Sequence, residues 1–309
     1  MAAIDIEGVT KRFGDVTAVN DLDLTVPEGE AFGFLGPNGA GKSTTINMVL
    51  DFVRPTTGTV SVLGHDAQRH SLMVRRRTGV LPEGFDVYDR LTARQHVEFA
   101  IDSKEVDDDP VALLERVGLP DAVDRKAGGF STGMRQRLAL AMALVGQPDL
   151  LILDEPSSGL DPGGAKEMRE IVREEVDRGA TVFFSSHILG QVEAVCDQVA
   201  ILRNGELVAQ DTVEGLREAA GGEARLVVTL REPSAFDVGT VLALPEVSEA
   251  TLDGDTLTVA CADGAKTEVI AAVEDSGVGV SDFETAEESL EELFLEYTAD
   301  DGEAMEVEP

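Results

Sequence analysis

A glycine-rich stretch, GPNGAGKS (36–43), contains the residue types that hold the phosphates of a nucleotide. It fits G-x-x-x-x-G-K-[ST] at every fixed position, with an apolar strand before it and a helix after it. The glycines let backbone N–H groups close around an anion, and the helix N-terminus adds partial positive charge. Lys42 would reach the terminal phosphates as a catalytic residue, and the Ser43 hydroxyl would ligate Mg²⁺. The residues predicted to bind the phosphates of ATP are Gly36, Pro37, Asn38, Gly39, Ala40, Gly41, Lys42, Ser43 and Thr44.

Two adjacent carboxylates, Asp154 and Glu155, end the apolar run LLILDE (150–155). A carboxylate at the carboxyl end of a parallel strand lies at the edge of the sheet where ligands bind. Asp154 is therefore predicted to hold the metal through a water, and Glu155 to orient or deprotonate the attacking water. Taken alone, the pair could equally be an acidic helix cap. Beside a phosphate loop, it favours a hydrolytic site.

The segment FSTGMRQRLALAMAL (130–144) predicts a helix that starts at Ser131 and has one apolar stripe. A serine, a glycine and a helix N-terminus together form an anion site. The chain already has one loop for phosphates, so a second anion site suggests that it meets the nucleotide of another subunit. Read alone, the segment is also compatible with an ordinary capped helix.

AFGFLG (31–36) predicts a short apolar strand that runs into glycine, and LLILDE and TVFFSS (181–186) predict buried strands. Helical spacing follows each of them and also extends from about residue 91 to 145. Strands that alternate with helices predict an α/β fold with a doubly wound parallel sheet.

A composition break at residues 219–222 predicts a second, smaller domain. Beyond it the patterns read strand, helix, strand, strand, helix, strand, with an Asp253-Gly254 hairpin signal, which is the order of a split βαβ domain. A closing helix is predicted after a Thr285…Glu288 capping-box spacing. Its apolar face would consist of Leu290, Leu293, Phe294 and Tyr297.

Charge and composition exclude several classes of protein. Net charge is −34 from 25 basic and 59 acidic residues, so a nucleic-acid partner, which needs a basic face, is not expected. Such an excess of acid is tolerated where salt screens it, which suggests a salt-loving host; an acidic partner-binding tail is the alternative. There is no apolar run of membrane-helix length and no signal-peptide pattern, so a cytoplasmic protein is expected. Two cysteines without C-x-x-C spacing argue against a disulfide framework or a zinc site.

GPNGAGKS, then STGMRQR, then LLILDEPSSGLD and SSH resemble the ATP-binding cassette (ABC) family, over about residues 3–220. Within it the chain is similar to single-cassette ATPases of ABC-2, drug-export type, and TLTVA through SLEELFLEY resembles the C-terminal domain that some of them carry. The resemblance implies a P-loop NTPase core with a parallel sheet, an antiparallel β subdomain and a helical subdomain (about 86–146). The expected domains are an ATP-binding domain (1–220), a small α+β domain (223–298) and a disordered acidic tail (299–309).

The same resemblance implies roles for residues outside the phosphate loop. Phe13 lies where an aromatic ring stacks on adenine, although a core aromatic has the same pattern. Ser131 and Gly133 would contact the γ-phosphate bound to the other protomer, and Asp161 would couple the two sites. His187 would hydrogen-bond the γ-phosphate and the water.

Two departures from the family pattern affect the site. In the signature, Phe130, Thr132 and Met134 replace the usual leucine, glycine and glutamine, while Ser131 and Gly133 remain. Glu83 replaces the metal-sensing glutamine, and its carboxylate would lie beside Mg²⁺. We expect Glu83 to keep the metal-binding role.

The resemblance implies an ATP-hydrolysing subunit of a membrane exporter, with ATP and Mg²⁺ as ligands. Two cassettes, identical or different, would pair around ATP and power a separate multi-spanning permease, which would hold the chain at the inner face of the cell membrane. The permease would contact residues 84–100. The alternative is a soluble cassette ATPase of translation or DNA repair, which the short interval between Ser43 and Ser131 and the acidic charge disfavour. The cargo cannot be read from the sequence.

Overall fold

A computed structural model of the protein describes residues 1–219, 224–231, 233 and 236–287. The chain divides into two compact units, one formed by residues up to Val213 and the other beginning at Glu214. The predicted domain limit at residue 220 lies just outside the described residues and stays a prediction.

The first unit alternates strands and helices after an opening pair of strands. Its strands are β1 (Ala2–Phe13), β2 (Val16–Pro27), β3 (Ala31–Leu35), β4 (Thr57–Val62), β5 (His65–Asp66), β6 (Thr78–Leu81), β7 (Leu150–Asp154), β8 (Thr181–Ser186), β9 (Gln198–Arg203) and β10 (Glu206–Thr212). Its helices are α1 (Lys42–Val49), α2 (Ser71–Arg77), α3 (Ala93–Lys104), α4 (Pro110–Arg116), α5 (Thr132–Leu144), α6 (Pro162–Asp177) and α7 (Leu189–Glu193).

The central sheet of this unit has the order β10-β9-β3-β8-β7-β6, and all of its neighbours are parallel except the edge strand β10. Every residue of β3, β7 and β8 is buried. Phe32 and Phe183 stack between adjacent strands with ring centroids 6.0 Å apart. The parallel, doubly wound sheet predicted from the apolar runs is confirmed. Its strands β3, β7 and β8 are neighbours, so their carboxyl ends lie along one edge.

A second sheet of the same unit is antiparallel, with the order β2-β1-β4-β5. It is the antiparallel β subdomain that the resemblance implied. The predicted helical subdomain corresponds to α3, α4 and α5, which contact one another. Helix α3 begins with a full capping box, in which Thr92 and Gln95 each bond the backbone N–H of the other.

The second unit has the predicted split βαβ fold. After α8 (Val213–Ala219), its sheet has the order β12-β13-β11-β14, so that β13 lies between β11 and β12 and every neighbour is antiparallel. Its elements are β11 (Ala224–Leu230), α9 (Gly239–Leu242), β12 (Val247–Asp253), β13 (Thr256–Cys261), α10 (Lys266–Asp275) and β14 (Val280–Glu287).

The predicted start of the closing helix is wrong. Thr285 belongs to β14, and the strand continues through Ala286 and Glu287, which pair with Arg225 and Ala224. Pairing with β11 therefore overrides the local capping signal. The apolar face predicted for that helix and the acidic tail lie outside the described residues.

Both cysteines are buried, and no disulfide joins them. Cys196 lies in the first unit, where burial raises the pKa of its thiol. Cys261 lies in β13 with no exposed surface. In the described ranges, no helix is long and apolar enough to cross a membrane.

Candidate functional site

The phosphate loop connects the end of β3 to the start of α1, as its sequence predicts. Two of its glycines are required by close approaches of other backbone segments. A Cβ on Gly41, whose φ is 108°, would lie 2.6 Å from the carbonyl oxygen of Ala18. A Cβ on Gly36 would lie 2.4 Å from the carbonyl oxygen of Leu202. No side chain fits at either position, so the loop can fold tightly over the N-terminus of α1.

Lys42 extends back along this loop and is almost completely buried. Its ammonium donates to the carbonyl oxygens of Gly36 at 2.6 Å and Pro37 at 3.4 Å, and its Nζ lies 3.9 Å from Glu155 Oε1. Burial lowers the pKa of Lys42, while the nearby Glu155, Asp154 and Glu83 carboxylates act in the opposite direction. The ammonium is thus held inside the loop, where a bound phosphate would arrive.

Asp154 ends β7 and is held by the neighbouring strand. The Ser185 hydroxyl of β8 donates to Asp154 Oδ1. Burial raises the pKa of Asp154, and the hydrogen bond from Ser185 opposes that rise. The Glu155 carboxylate raises the pKa further, whereas the Lys42 ammonium lowers it. A cation beside this carboxylate would favour its ionised form.

Glu155 adopts a left-handed backbone conformation with φ of 50°, which turns it away from the strand direction. Its N–H donates to the Ser185 carbonyl at 3.1 Å. His187 Nδ1 lies 2.9 Å from Glu155 Oε1, and the Ser186 hydroxyl lies 3.5 Å from Oε2. The side chain of His187 is 47% exposed, whereas that of Glu155 is 9% exposed. The arrangement can place a carboxylate and an imidazole beside a water at the mouth of the site.

These residues surround one cavity of about 320 Å³ at the carboxyl edge of the parallel sheet. Most of the residues predicted to bind ATP phosphates line it, together with Ala18, which the sequence analysis missed. Gly36 and Ala40 belong to the loop but do not line the cavity. The lining residues are Ala18, Pro37, Asn38, Gly39, Gly41, Lys42, Ser43, Thr44, Glu83 and Glu155.

The predicted metal ligands offer only oxygen atoms, which suits Mg²⁺. Ser43 and Glu83 are exposed at the cavity, and Asp154 is buried behind it. Among the described residues, no group of three or more His, Cys, Asp or Glu side chains could hold a metal ion. A metal here would therefore need phosphate oxygens or water to complete its coordination.

Phe13, predicted to stack on adenine, ends β1 outside this cavity. Its side chain is 49% exposed, which does not fit a core aromatic. Lys11 Nζ lies 4.7 Å from the centre of its ring. An exposed ring of this kind can stack on a flat base.

Ser131, Gly133 and Asp161 line a different cavity, of about 610 Å³. Ser131 caps α5 by accepting from the Met134 N–H at 3.3 Å, and Asp161 caps α6 by accepting from the Gly164 N–H at 2.9 Å. Within one chain, they are not brought to the cavity of the phosphate loop. They form an exposed surface with two helix N-termini.

Thr132, which departs from the family pattern, packs on the loop before Asp161. A Cβ on Gly159 would lie 2.6 Å from Thr132 Cγ2, so glycine at 159 makes room for the threonine. The sequence analysis also missed Ser185 and Ser186 as partners of the two carboxylates. Their only signal was their place at the end of a buried strand, just before His187.

The parallel sheet carries a phosphate loop after β3 and two adjacent carboxylates at the end of β7, with β8 between these strands. This arrangement defines a P-loop nucleoside triphosphatase. The profile described as "ABC transporter" matches residues 19–158. The profile described as "ATP-binding protein DrrA1-3-like, C-terminal domain" matches residues 212–298.

Whole-chain comparisons agree with both profiles. The chain is 34% identical to the daunorubicin resistance ATP-binding protein DrrA3 of Streptomyces coeruleorubidus, over 98% of each chain. It is 34% identical to the Nod factor export ATP-binding protein I of Rhizobium meliloti, over 96% of this chain and 88% of the relative. A solved structure of the ATP-binding subunit of an ABC transporter superposes with a TM-score of 0.66 at 29% identity, covering 71% of this chain and 93% of that one. The chain therefore belongs to the ATP-binding proteins of the ABC transporter family.

Proposed function

We propose that this chain hydrolyses ATP to power a separate multi-spanning permease, and that the transporter is an exporter. The observation that carries the proposal is the chain of contacts from Lys42 to Glu155 to His187, at the carboxyl ends of three adjacent strands. Relatives named for export or for drug resistance support transport out of the cell.

In the proposed reaction, the phosphate loop binds ATP through its backbone N–H groups and Lys42. The ammonium exchanges the carbonyl oxygens of Gly36 and Pro37 for phosphate oxygens. Glu155 orients the attacking water and accepts its proton, while His187 holds the Glu155 carboxylate in place. Ser43, Asp154 and Glu83 would hold Mg²⁺, which neutralises charge on the phosphates when bound.

The exposed surface around Ser131, Gly133 and Asp161 is proposed to meet the nucleotide of a second cassette. Ser131 is exposed, and the N-terminus of α5 offers N–H groups to an anion. ATP held between two such surfaces would close the pair, and hydrolysis would reopen it.

The permease is proposed to contact an apolar groove in the segment that follows Glu83. The groove has a volume of about 670 Å³ and lies within the predicted range 84–100, apart from Met142 on α5. Three of its aromatic side chains, Phe85, Tyr88 and Phe99, come from this range, and Tyr88 and Phe99 are 70% and 61% exposed. Exposed aromatic side chains such as these are enriched in protein contacts.

The alternative of a soluble cassette in translation or DNA repair has less support. The relatives are named for transport or resistance, and the split βαβ unit matches a domain profile named for such proteins.

Replacing Lys42 by alanine tests the ATPase directly. We expect turnover to fall by at least about a hundredfold, because the variant loses the cation that faces the phosphates. The matched control is Lys166→Ala on the exposed face of α6, which should keep full turnover because this lysine only pairs loosely with Glu170 at 3.8 Å. Unchanged turnover in Lys42→Ala, measured by phosphate release in high salt, would refute the proposed mechanism.

A further inference from the structure

We propose that Arg135 is a positioning residue that joins the segment starting at Glu83 to the helix starting at Ser131. Through it, the element beside the metal site and the element facing the second nucleotide would move together. The inference rests on the proposed ATP-driven pairing of two cassettes.

Arg135 bridges two carboxylates of the segment after Glu83. Its Nη1 lies 2.9 Å from Asp86 Oδ1, and its Nη2 lies 3.5 Å from Asp89 Oδ1. The arginine is 31% exposed, whereas the carboxylates are 82% and 71% exposed, so the guanidinium is the more enclosed partner. Arginine suits this role because its planar fork reaches two acceptors at once. Since Arg135 lies in the first turn of α5, it holds the segment close to the cap residue Ser131.

The same segment begins at the catalytic edge, where Glu83 lines the cavity of the phosphate loop together with Glu155. Farther along, the N–H of Tyr88 donates to His96 Nε2 at 3.0 Å, and the carbonyl of Asp89 accepts from the Gly128 N–H at 3.1 Å. A segment held at Asp86, Tyr88 and Asp89 would transmit a displacement of Glu83 instead of absorbing it.

Helix α5 is also attached to the catalytic edge on another side. Gln136 Nε2 donates to the carbonyl of Pro156 at 3.0 Å, directly after Glu155 in the chain. A cavity of about 570 Å³ is lined by Glu83, Glu155, Ser131 and Arg135 together. Arg135 thus faces the space shared by the metal-side carboxylate, the catalytic carboxylate and the signature serine. The contacts point to a mechanical role for Arg135, without a contact to the phosphate loop.

The test uses the full chain with Glu155→Gln, which stops turnover, at the lowest salt at which this parent stays folded. Nucleotide affinity is measured by calorimetry and pairing by sedimentation with Mg²⁺ and ATP. We expect Arg135→Gln to change ATP affinity less than about twofold and to weaken pairing about fivefold, the size of effect that an ion pair of this exposure can carry. Asp86→Asn should weaken pairing in the same way, because the amide oxygen can still accept from the Val87 N–H at 2.9 Å while the charge is lost. Adding Asp86→Asn to Arg135→Gln should weaken pairing little further, because the arginine variant has already lost the ion pair to Asp86.

Two further arms distinguish coupling from general stability. Arg76→Gln, which removes an exposed ion pair of 2.6 Å to Glu105, should leave pairing unchanged. Glu83→Gln should shift the Mg²⁺ concentration needed for pairing in the parent, and this shift should disappear when Arg135→Gln is present. If Arg135 only stabilised the fold, Arg135→Gln would lower the melting temperature, and Glu83→Gln would still shift the Mg²⁺ concentration needed for pairing.

The outcomes separate this inference from the proposed function. A parent that binds ATP and pairs, while Arg135→Gln and Asp86→Asn pair equally well, would overturn the role of Arg135 alone. A parent that binds no ATP would overturn the proposed function and, with it, this inference.

Discussion

Two helix N-termini of the first unit, those of α1 and α5, offer backbone N–H groups to an anion, and their surroundings differ sharply. The start of α1 is enclosed: Lys42 is buried, and the Asp154 and Glu155 carboxylates lie around it. The start of α5 is open: Ser131 is exposed. Under the proposed function, one chain builds the nucleotide site at α1, and a second chain completes the site at α5.

The largest expected effect concerns the enclosed site and comes from Glu155→Gln. Glutamine keeps the size of the side chain but cannot accept the proton of water, so turnover should fall by about a thousandfold. Binding of ATP and pairing of two chains should persist, because neither requires the base. Rapid-quench measurement of phosphate release, with Glu170→Gln on the surface of α6 as control, tests this. Normal turnover in Glu155→Gln would mean that Glu155 is not the base.

An intermediate effect is expected at the open site, from Ser131→Ala. Turnover should fall about tenfold at dilute protein concentration, while ATP affinity of the single chain stays the same, because the hydroxyl serves the partner's nucleotide. The lost cap should also cost about 1 kcal/mol of stability. Asp109→Ala is the matched control, since it removes the cap of α4, which accepts from the Val111 N–H at 2.8 Å. If both variants lose turnover equally, the effect of Ser131 is one of stability alone.

The smallest expected effect comes from salt, and it sharpens the same comparison. Two chains of net charge −34 repel each other, so pairing at the open site should strengthen as salt rises, because added ions screen that repulsion. The melting temperature should also rise, by about 5 °C between dilute buffer and molar salt, if the charge is an adaptation to salt. Calorimetry at increasing KCl concentrations measures the melting temperature. A melting temperature that stays flat or falls would contradict the salt-loving interpretation.

Much of the first unit follows from its sequence. The apolar runs of β3, β7 and β8 have few alternatives, because strands buried on both faces need side chains of this kind along their whole length. The phosphate loop can also be predicted from the sequence, because its glycines are required. Ala18 leaves no room for a side chain at position 41, and Leu202 leaves none at position 36.

Other features depend on contacts between distant parts of the chain, which a single sequence does not encode in a readable way. The spacing from Thr285 to Glu288 fits a helix start, yet pairing with β11 keeps Thr285 in β14. Likewise, nothing local marks Arg135 as the partner of Asp86, because charged residues are common on both segments. The variants above test the roles predicted for Lys42, Glu155 and Ser131.

The enclosed position of both native cysteines has a practical consequence for such tests. Cys196 and Cys261 are the only thiols of the chain, and neither presents its sulfur to maleimide reagents at the surface. A fluorophore could therefore be attached to one engineered cysteine without first removing the natural ones. Donor and acceptor dyes on separate preparations would then report the association of two protomers in real time.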